Sequence, residues 1–310
     1  LKNNKKDEYL KGRQFYRFTK DEFIVRLHIG LEDPKDLIND LKNGSIDILI
    51  STHRVFQNDI IFKNLGLLII DEEQKFGVKH KEIIKQKNNN VEIISLTATP
   101  IPRTMAMGIL SGLDVSTIKS LPPNRKPIVT STLPNKRRGA LISRIKSAIS
   151  EGAQVYWVCP LIEESEVLDY TAAEDRFKAL RANLGEGEVG LVHGQMNSDE
   201  KDEVMKKFSE GEIKVLVSTT VIEVGVDVPS ANIIVIEHAE KFGLAQLHQL
   251  RGRVGRGTSE SSCILLYKAP LSENGERRLS ILRETEDGFK IAELDLQMRG
   301  AGDIIGTAQS

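Results

Sequence analysis

The chain has 310 residues, 40% of them hydrophobic, and its 43 basic and 44 acidic side chains leave a net charge of −1. That length favours about two domains at ~100–200 residues each. The balanced charge excludes a nucleic-acid partner announced by bulk electrostatics, so any such contact rests on local patches. No apolar run approaches the ~18–20 residues of a membrane span, and no secretory signal is present.

In chain order, the first strands predicted are Ile46–Ile50, Leu67–Ile70 and Glu92–Leu96. They are short, β-branched runs bounded by polar or glycine signals, the pattern of a parallel sheet covered on both faces; Asp47 interrupts the first. Residues 1–34 match no motif, and the Lys2–Lys6 cluster reads as disordered. Ser120–Asn135 carries Pro122, Pro123, Pro127 and Pro134. It reads as the interdomain linker, because proline removes backbone donors and disfavours helix. Beyond it, strands at Val155–Val158, Val189–Val192, Val215–Ser218, Ile233–Ile236 and Ile264–Tyr267 alternate with helices at Arg138–Ser150, Thr171–Leu184 and Ser198–Phe208, where Ser198 is placed to cap. Such alternation argues for βαβ units. The expected architecture is α/β: an incomplete parallel-sheet domain over 1–135, a complete one over 136–272, and a short helical element over 273–310. Leu1 is not a methionine, and the ending at Ser310 is abrupt, so the chain reads as part of something longer. Cys159 and Cys263 sit in apolar runs and read as buried free thiols, which fits a reducing cytoplasm. The six histidines are scattered and indicate no zinc site.

Several strand ends carry chemistry. Leu67–Ile70 ends in Asp71-Glu72-Glu73-Gln74, and ligands of parallel sheets bind beyond the carboxyl ends of strands. Asp71 is placed to hold Mg²⁺ through water, and Glu72 to orient or deprotonate an attacking water. Ser51-Thr52-His53 and Ser218-Thr219-Thr220 are strand-to-turn hydroxyl pairs of the kind that bond phosphate backbones; Thr97-Ala98-Thr99, followed by Pro100, reads either as a simple Thr/Pro turn or as hydroxyls that bond a neighbouring carboxylate and a nucleic-acid backbone. Gly225 permits close approach, and Asp227 offers an acceptor to a ribose hydroxyl or to an arginine.

The densest signal is Gln249-Leu250-Arg251-Gly252-Arg253-Val254-Gly255-Arg256. Three arginines in six residues are too much charge for a core, and the glycines are too many for a solvated helix. Guanidinium forks fit phosphate oxygens, so the run reads as a phosphate-facing cluster. His248 beside it reads as structural, since no triad or metal pattern surrounds it.

Together, Asp71–Gln74, Thr97–Thr99, Ser218–Pro229 and Gln249–Arg256 resemble motifs II, III, V and VI of superfamily 2 helicases, in that order. The longer words resemble the RecG and Mfd families: Thr97–Thr104 is shared by both, and Arg299–Ser310 (RGAGDIIGTAQS) resembles an element both carry after the second motor domain. Tyr156–Ser165, Gly190–Gly194 and Gly243–Gly257 are similar to RecG. The box Asp71–Lys81 is similar to Mfd. The resemblance covers about residue 35 onward and implies two RecA-like domains, ATP and Mg²⁺ as cofactors, and branched or duplex DNA as partner, in the cytoplasm of a bacterium, associated with the nucleoid. It implies that Asp71 and Glu72 serve hydrolysis and that Arg253 and Arg256 reach the γ-phosphate across a domain cleft. Gln74, Gly225, Asp227 and Gln249 would serve the nucleotide. Thr52, His53, Thr97, Thr99, Thr219, Thr220, Arg299 and Gln309 would contact DNA or couple hydrolysis to its movement.

One element of the pattern is missing: no Gly-Lys followed by Ser or Thr occurs anywhere, and a P-loop needs it to cradle phosphates. The nucleotide-facing residues named above make half a nucleotide site, and this chain by itself is expected not to hydrolyse ATP usefully. The principal reading is the motor portion of a monomeric RecG-type helicase acting in recombination, repair and fork rescue. The alternatives are a translocase of Mfd type with RNA polymerase as partner, and a non-enzymatic DNA-binding module.

Overall fold

The computed structural model describes residues 15–18, 23–27, 34–51, 60–71, 91–97, 114–118, 126–160, 166–219, 228–257 and 259–299. The chain divides into two units, Leu1–Ala98 and Thr99–Ser310.

In the first unit, β1 (Phe15–Phe18) and β2 (Phe23–Leu27) form an antiparallel pair. This pair falls in the segment that matched no motif, and it makes the three-stranded sheet mixed where a purely parallel one was expected. Helix α1 (Pro34–Asn43) connects β2 to its parallel neighbour β3 (Ile48–Ile50), as a parallel pair requires a crossover. Strand β3 starts at Ile48, two residues later than Ile46, the start its apolar pattern suggested. A second, two-stranded parallel sheet joins β4 (Leu67–Ile70) to β5 (Glu92–Ser95). Leu41 and Ile60 are buried, packed with Ile38, Ile46, Leu49 and Phe62.

The second unit is built on six parallel strands: β6 (Ile128–Pro134), β7 (Gln154–Val158), β8 (Val189–Val192), β9 (Val215–Ser218), β10 (Ala231–Ile236) and β11 (Ser261–Tyr267). Their order across the sheet is β6-β11-β10-β7-β9-β8. Here the linker reading is corrected. Residues 128–134 are a strand, paired along its whole length with β11. Prolines flank it because it lies at the sheet edge, where a missing backbone donor leaves no ladder bond unmade. The second sheet therefore begins before residue 136.

Helices α2 (Arg138–Ser150), α3 (Glu166–Leu184), α4 (Ser198–Ser209) and α5 (Leu244–Arg251) connect these strands. The cap of α4 is Asn197 rather than Ser198: its side chain accepts from the Glu200 amide, and Glu200 accepts from the Asn197 amide. This reciprocal box satisfies two orphan donors of the first turn. Each strand alternates between two cores. Val155, Trp157, Cys159, Val215, Val217 and Val235 share one cluster with Leu141, Ile145 and Leu180. Tyr156, Val158, Leu216, Ile234 and Ile236 face the other, with Phe208, Leu244, Leu247 and Leu250. Both faces are thus covered, which is why the strands read as continuous apolar runs.

After β11 come α6 (Glu273–Glu284), capped by Ser272, and α7 (Gly288–Arg299). Leu279, Ile281, Leu282 and Ile291 from these helices join the second of those cores. The terminal element, as far as it is described, is packed onto the second unit. Among the described residues, no helix is long and apolar enough to cross a membrane.

Candidate functional site

The arginine run resolves into residues with different environments. Helix α5 buries Leu244, Leu247 and Leu250 and ends at Arg251. Arg251 is only 2% exposed, which corrects the expectation that the run is too charged for a core. Its guanidinium donates to Leu282 O at 2.5 Å and Thr130 Oγ1 at 3.3 Å, and meets His248 Nδ1 at 2.9 Å. Burial lowers its pKa, opposed by the charge of Glu286. Glu286 in turn accepts from the Ile128 amide at 2.8 Å. Arg251 therefore ties α5, β6 and α6 together, and His248 serves a structural contact, as its surroundings in the sequence suggested.

Beyond Arg251 the chain turns. Val254 is fully buried and anchors the turn. Gly255 has φ +78, and a Cβ there would lie 2.9 Å from Ile128 Cγ1. Both the left-handed backbone and the close packing demand glycine. The turn leaves Arg253 half-buried and Arg256 exposed, with Arg256 Nε donating to Gly252 O at 3.4 Å. Gln249, half-buried, lies one turn earlier on the same segment. The structure thus leaves Arg256 exposed and Arg253 and Gln249 half-buried, and withdraws Arg251 into the core.

The carboxyl edge of the second sheet holds a cluster that sequence reasoning missed. Glu237, one residue past β10, is buried. Its Oε1 accepts from Trp157 Nε1 at 2.9 Å. Its carboxylate pairs with Arg176 Nε at 2.5 Å and Arg138 Nε at 3.4 Å. Arg176 also lies 6.0 Å from the centroid of the Trp157 ring. The signal existed: Glu237 follows the apolar run Ile233–Ile236 as Asp71 follows Leu67–Ile70. Beside it, His238 adopts a left-handed conformation, φ 49 and ψ 47, and its Nδ1 meets Glu240 Oε1 at 3.0 Å. Burial first, and the Glu237 charge second, push the Cys159 thiol up to about 12. Burial does the same to Cys263. Both cysteines are free and buried, as their apolar runs indicated.

Of the other expected site residues, Asp71 is exposed at the end of β4, and Thr97 is exposed two residues past β5. Thr219 is buried directly after β9. Arg299 is the last residue of α7. Thr52, His53, Glu72, Gln74, Thr99, Thr220, Gly225, Asp227 and Gln309 lie outside the described residues. Among the described residues, no group of three or more His, Cys, Asp or Glu side chains is arranged to hold a metal. A single strand-end carboxylate such as Asp71 still fits Mg²⁺, which typically takes one or two carboxylates plus substrate phosphates.

Residues 10–107 match the DEAD/DEAH box helicase family and residues 137–258 match the helicase conserved C-terminal domain. The ATP-dependent DNA helicase RecG of Acidithiobacillus ferridurans is 52% identical over 270 residues, covering 87% of this chain and 40% of that protein. RecG of Escherichia coli K12 is 49% identical over 275 residues, with the same coverages of 87% and 40%. The chain belongs to the RecG-like superfamily 2 helicases.

A solved structure of RecG bound to a three-way DNA junction superposes with TM-score 0.74 at 40% identity, covering 97% of this chain and 39% of that one. The helicase MrfA bound to DNA and AMPPNP matches with TM-score 0.61 at 17% identity, covering 95% of this chain and 46% of that one, and bears on the fold alone. The RecG-like chain therefore spans about 40% of the length of its RecG relatives. Its α/β fold is that of two RecA-like helicase domains.

Proposed function

We propose that this chain is the motor portion of an ATP-dependent DNA helicase that acts on branched DNA in recombination, repair and fork rescue. The observation that carries the reading is the turn after α5. It exposes Arg256 and half-exposes Arg253 while Arg251, Val254 and Gly255 hold the turn in place. In this reading Arg256 reaches the γ-phosphate of ATP, with Arg253 and Gln249 beside it. Asp71 holds Mg²⁺ through water and Glu72 activates the attacking water, with Gln74, Gly225 and Asp227 serving the nucleotide. Mg²⁺ supplies charge neutralisation at the β- and γ-phosphate oxygens when bound. Thr52, His53, Thr97, Thr99, Thr219 and Thr220 serve the DNA strand or couple it to hydrolysis. Arg299 and Gln309 belong to the terminal coupling element. The partition into motor halves at 1–135 and 136–272 with a coupling element at 273–310 is part of the proposal, adjusted so that the second half includes β6. We infer a monomer working in the bacterial cytoplasm on nucleoid DNA.

A P-loop must be supplied for turnover, because the chain contains none. The test is junction-DNA-stimulated ATP hydrolysis in a polypeptide that joins this chain to a P-loop segment. Arg256→Ala should lower turnover by about 10³–10⁵-fold, the usual effect of removing a transition-state arginine, with DNA affinity kept. Normal turnover in that variant refutes the assignment. Coupling to RNA polymerase rests on the Asp71–Lys81 box alone, and nothing described in the structure favours it.

A further inference from the structure

The Glu237 cluster has more positive charge than its carboxylate balances: two guanidiniums, Arg138 and Arg176, share one carboxylate. Both arginines keep some solvent access, with side chains 27% and 16% exposed. They are also close enough to Cys159 to oppose the rise in its pKa. Cys159, Glu237 and Thr219 each stand one residue beyond paired strand ends, since Val158 is in register with both Ser218 and Ile236. Thr219 follows Val215 and Val217 in alternation and so lies on the Trp157 face of the sheet. Thr219 is 2% exposed, and its Oγ1 is buried with no hydrogen-bond partner among the described residues. A buried hydroxyl without a partner is costly, so it marks a place where a hydrogen-bond partner is missing. An anion is the acceptor that a hydroxyl and surplus guanidiniums take together.

We propose that Arg138, Arg176 and Thr219 form an oxyanion subsite that takes a backbone phosphate of DNA. The proposal rests on the DNA-motor reading and deepens it by adding two arginines that none of the helicase motifs contains. A nucleotide phosphate has the same chemistry, so the test separates the two sources.

The 310-residue chain is titrated with a fluorescein-labelled DNA duplex by anisotropy at several KCl concentrations. A fluorescent ATP analogue is titrated in parallel. Arg138→Gln and Arg176→Gln are each made, and those that keep the wild-type melting transition are compared with Arg138→Lys. Loss of one phosphate contact should flatten the slope of log Kd against log salt by about 0.9, and Arg138→Lys should restore it. Thr219→Val should weaken binding several-fold with the slope unchanged. If the wild-type chain binds DNA but all four variants match it, the subsite is overturned while the motor reading stands. If Arg138→Gln loses only the ATP analogue, the DNA assignment is overturned. If the wild-type chain binds no DNA, the motor reading falls first and this proposal with it.

Discussion

Asp71 and Glu237 look alike in the sequence and differ in the structure. Each closes a run of four apolar residues, Leu67–Ile70 and Ile233–Ile236, and each stands just past a parallel strand. Asp71 ends a two-stranded sheet whose Leu67 and Ile69 are 50% and 57% exposed. Glu237 ends a central strand of a six-stranded sheet and is enclosed by Trp157, Arg138 and Arg176. A carboxylate at the surface keeps its hydration, whereas a buried one must be paired. The same local signature therefore marks a solvent-exposed carboxylate in one unit and a buried electrostatic keystone in the other.

The largest test of this contrast is the pair Glu237→Ala and Asp71→Ala. Removing Glu237 leaves two arginines facing each other and the Trp157 N–H unmatched, and should cost about 3–5 kcal/mol by urea denaturation. Asp71→Ala should stay within about 0.5 kcal/mol, as exposed substitutions do. Equal costs would break the comparison. The arginine run gives a second version within eight residues. Arg251→Ala should destabilise by about 3 kcal/mol, because it empties buried volume and strands the Leu282 carbonyl. Arg256→Ala should leave the denaturation midpoint nearly unchanged. A stable Arg251→Ala would mean that the contacts to Leu282, Thr130 and His248 contribute little.

The thiols give a pH test. An unfolded cysteine ionises near its ordinary value of 9.0, while folded Cys159 and Cys263 hold their protons to about 12. Between those values the folded state binds more protons, so stability is full below pH 9 and falls as pH rises toward 12. At pH 10.5 the loss should be roughly 2 kcal/mol per thiol, read as the difference in urea midpoint from pH 8. Cys159→Ala should remove about half of it, and an unchanged pH dependence would show that the thiol is not buried as described. The smallest effect is a control remote from both carboxylates: Asn197→Ala should cost about 1 kcal/mol through the lost cap of α4, measured by thermal melting.

Much of this molecule was legible before folding was considered. The apolar runs located most of the strands of the second unit, since a doubly covered parallel strand needs no polar alternation. The motif order located the arginine run and the strand-end hydroxyls. The linker was misread because proline density looks the same in a loop and at a sheet edge, and only β11 beside β6 tells them apart. The cap was misplaced by one residue because Asn197 and Ser198 are both good caps locally, and the backbone selects between them.

What the sequence determined by itself was the class of fold, the family, and the residue types available for phosphate chemistry. The fold class and the residue types follow from periodicity and side-chain chemistry, and the family from the resemblance of its motif words, all of which are local along the chain. Only the tertiary structure decided that Arg251 is a buried tie while Arg256 is presented to solvent, and that Arg138, Trp157, Arg176 and Glu237 form one cluster. Burial and ion pairing depend on which distant elements meet, and residues up to 99 positions apart (138 and 237) have no local signal that they will share a carboxylate.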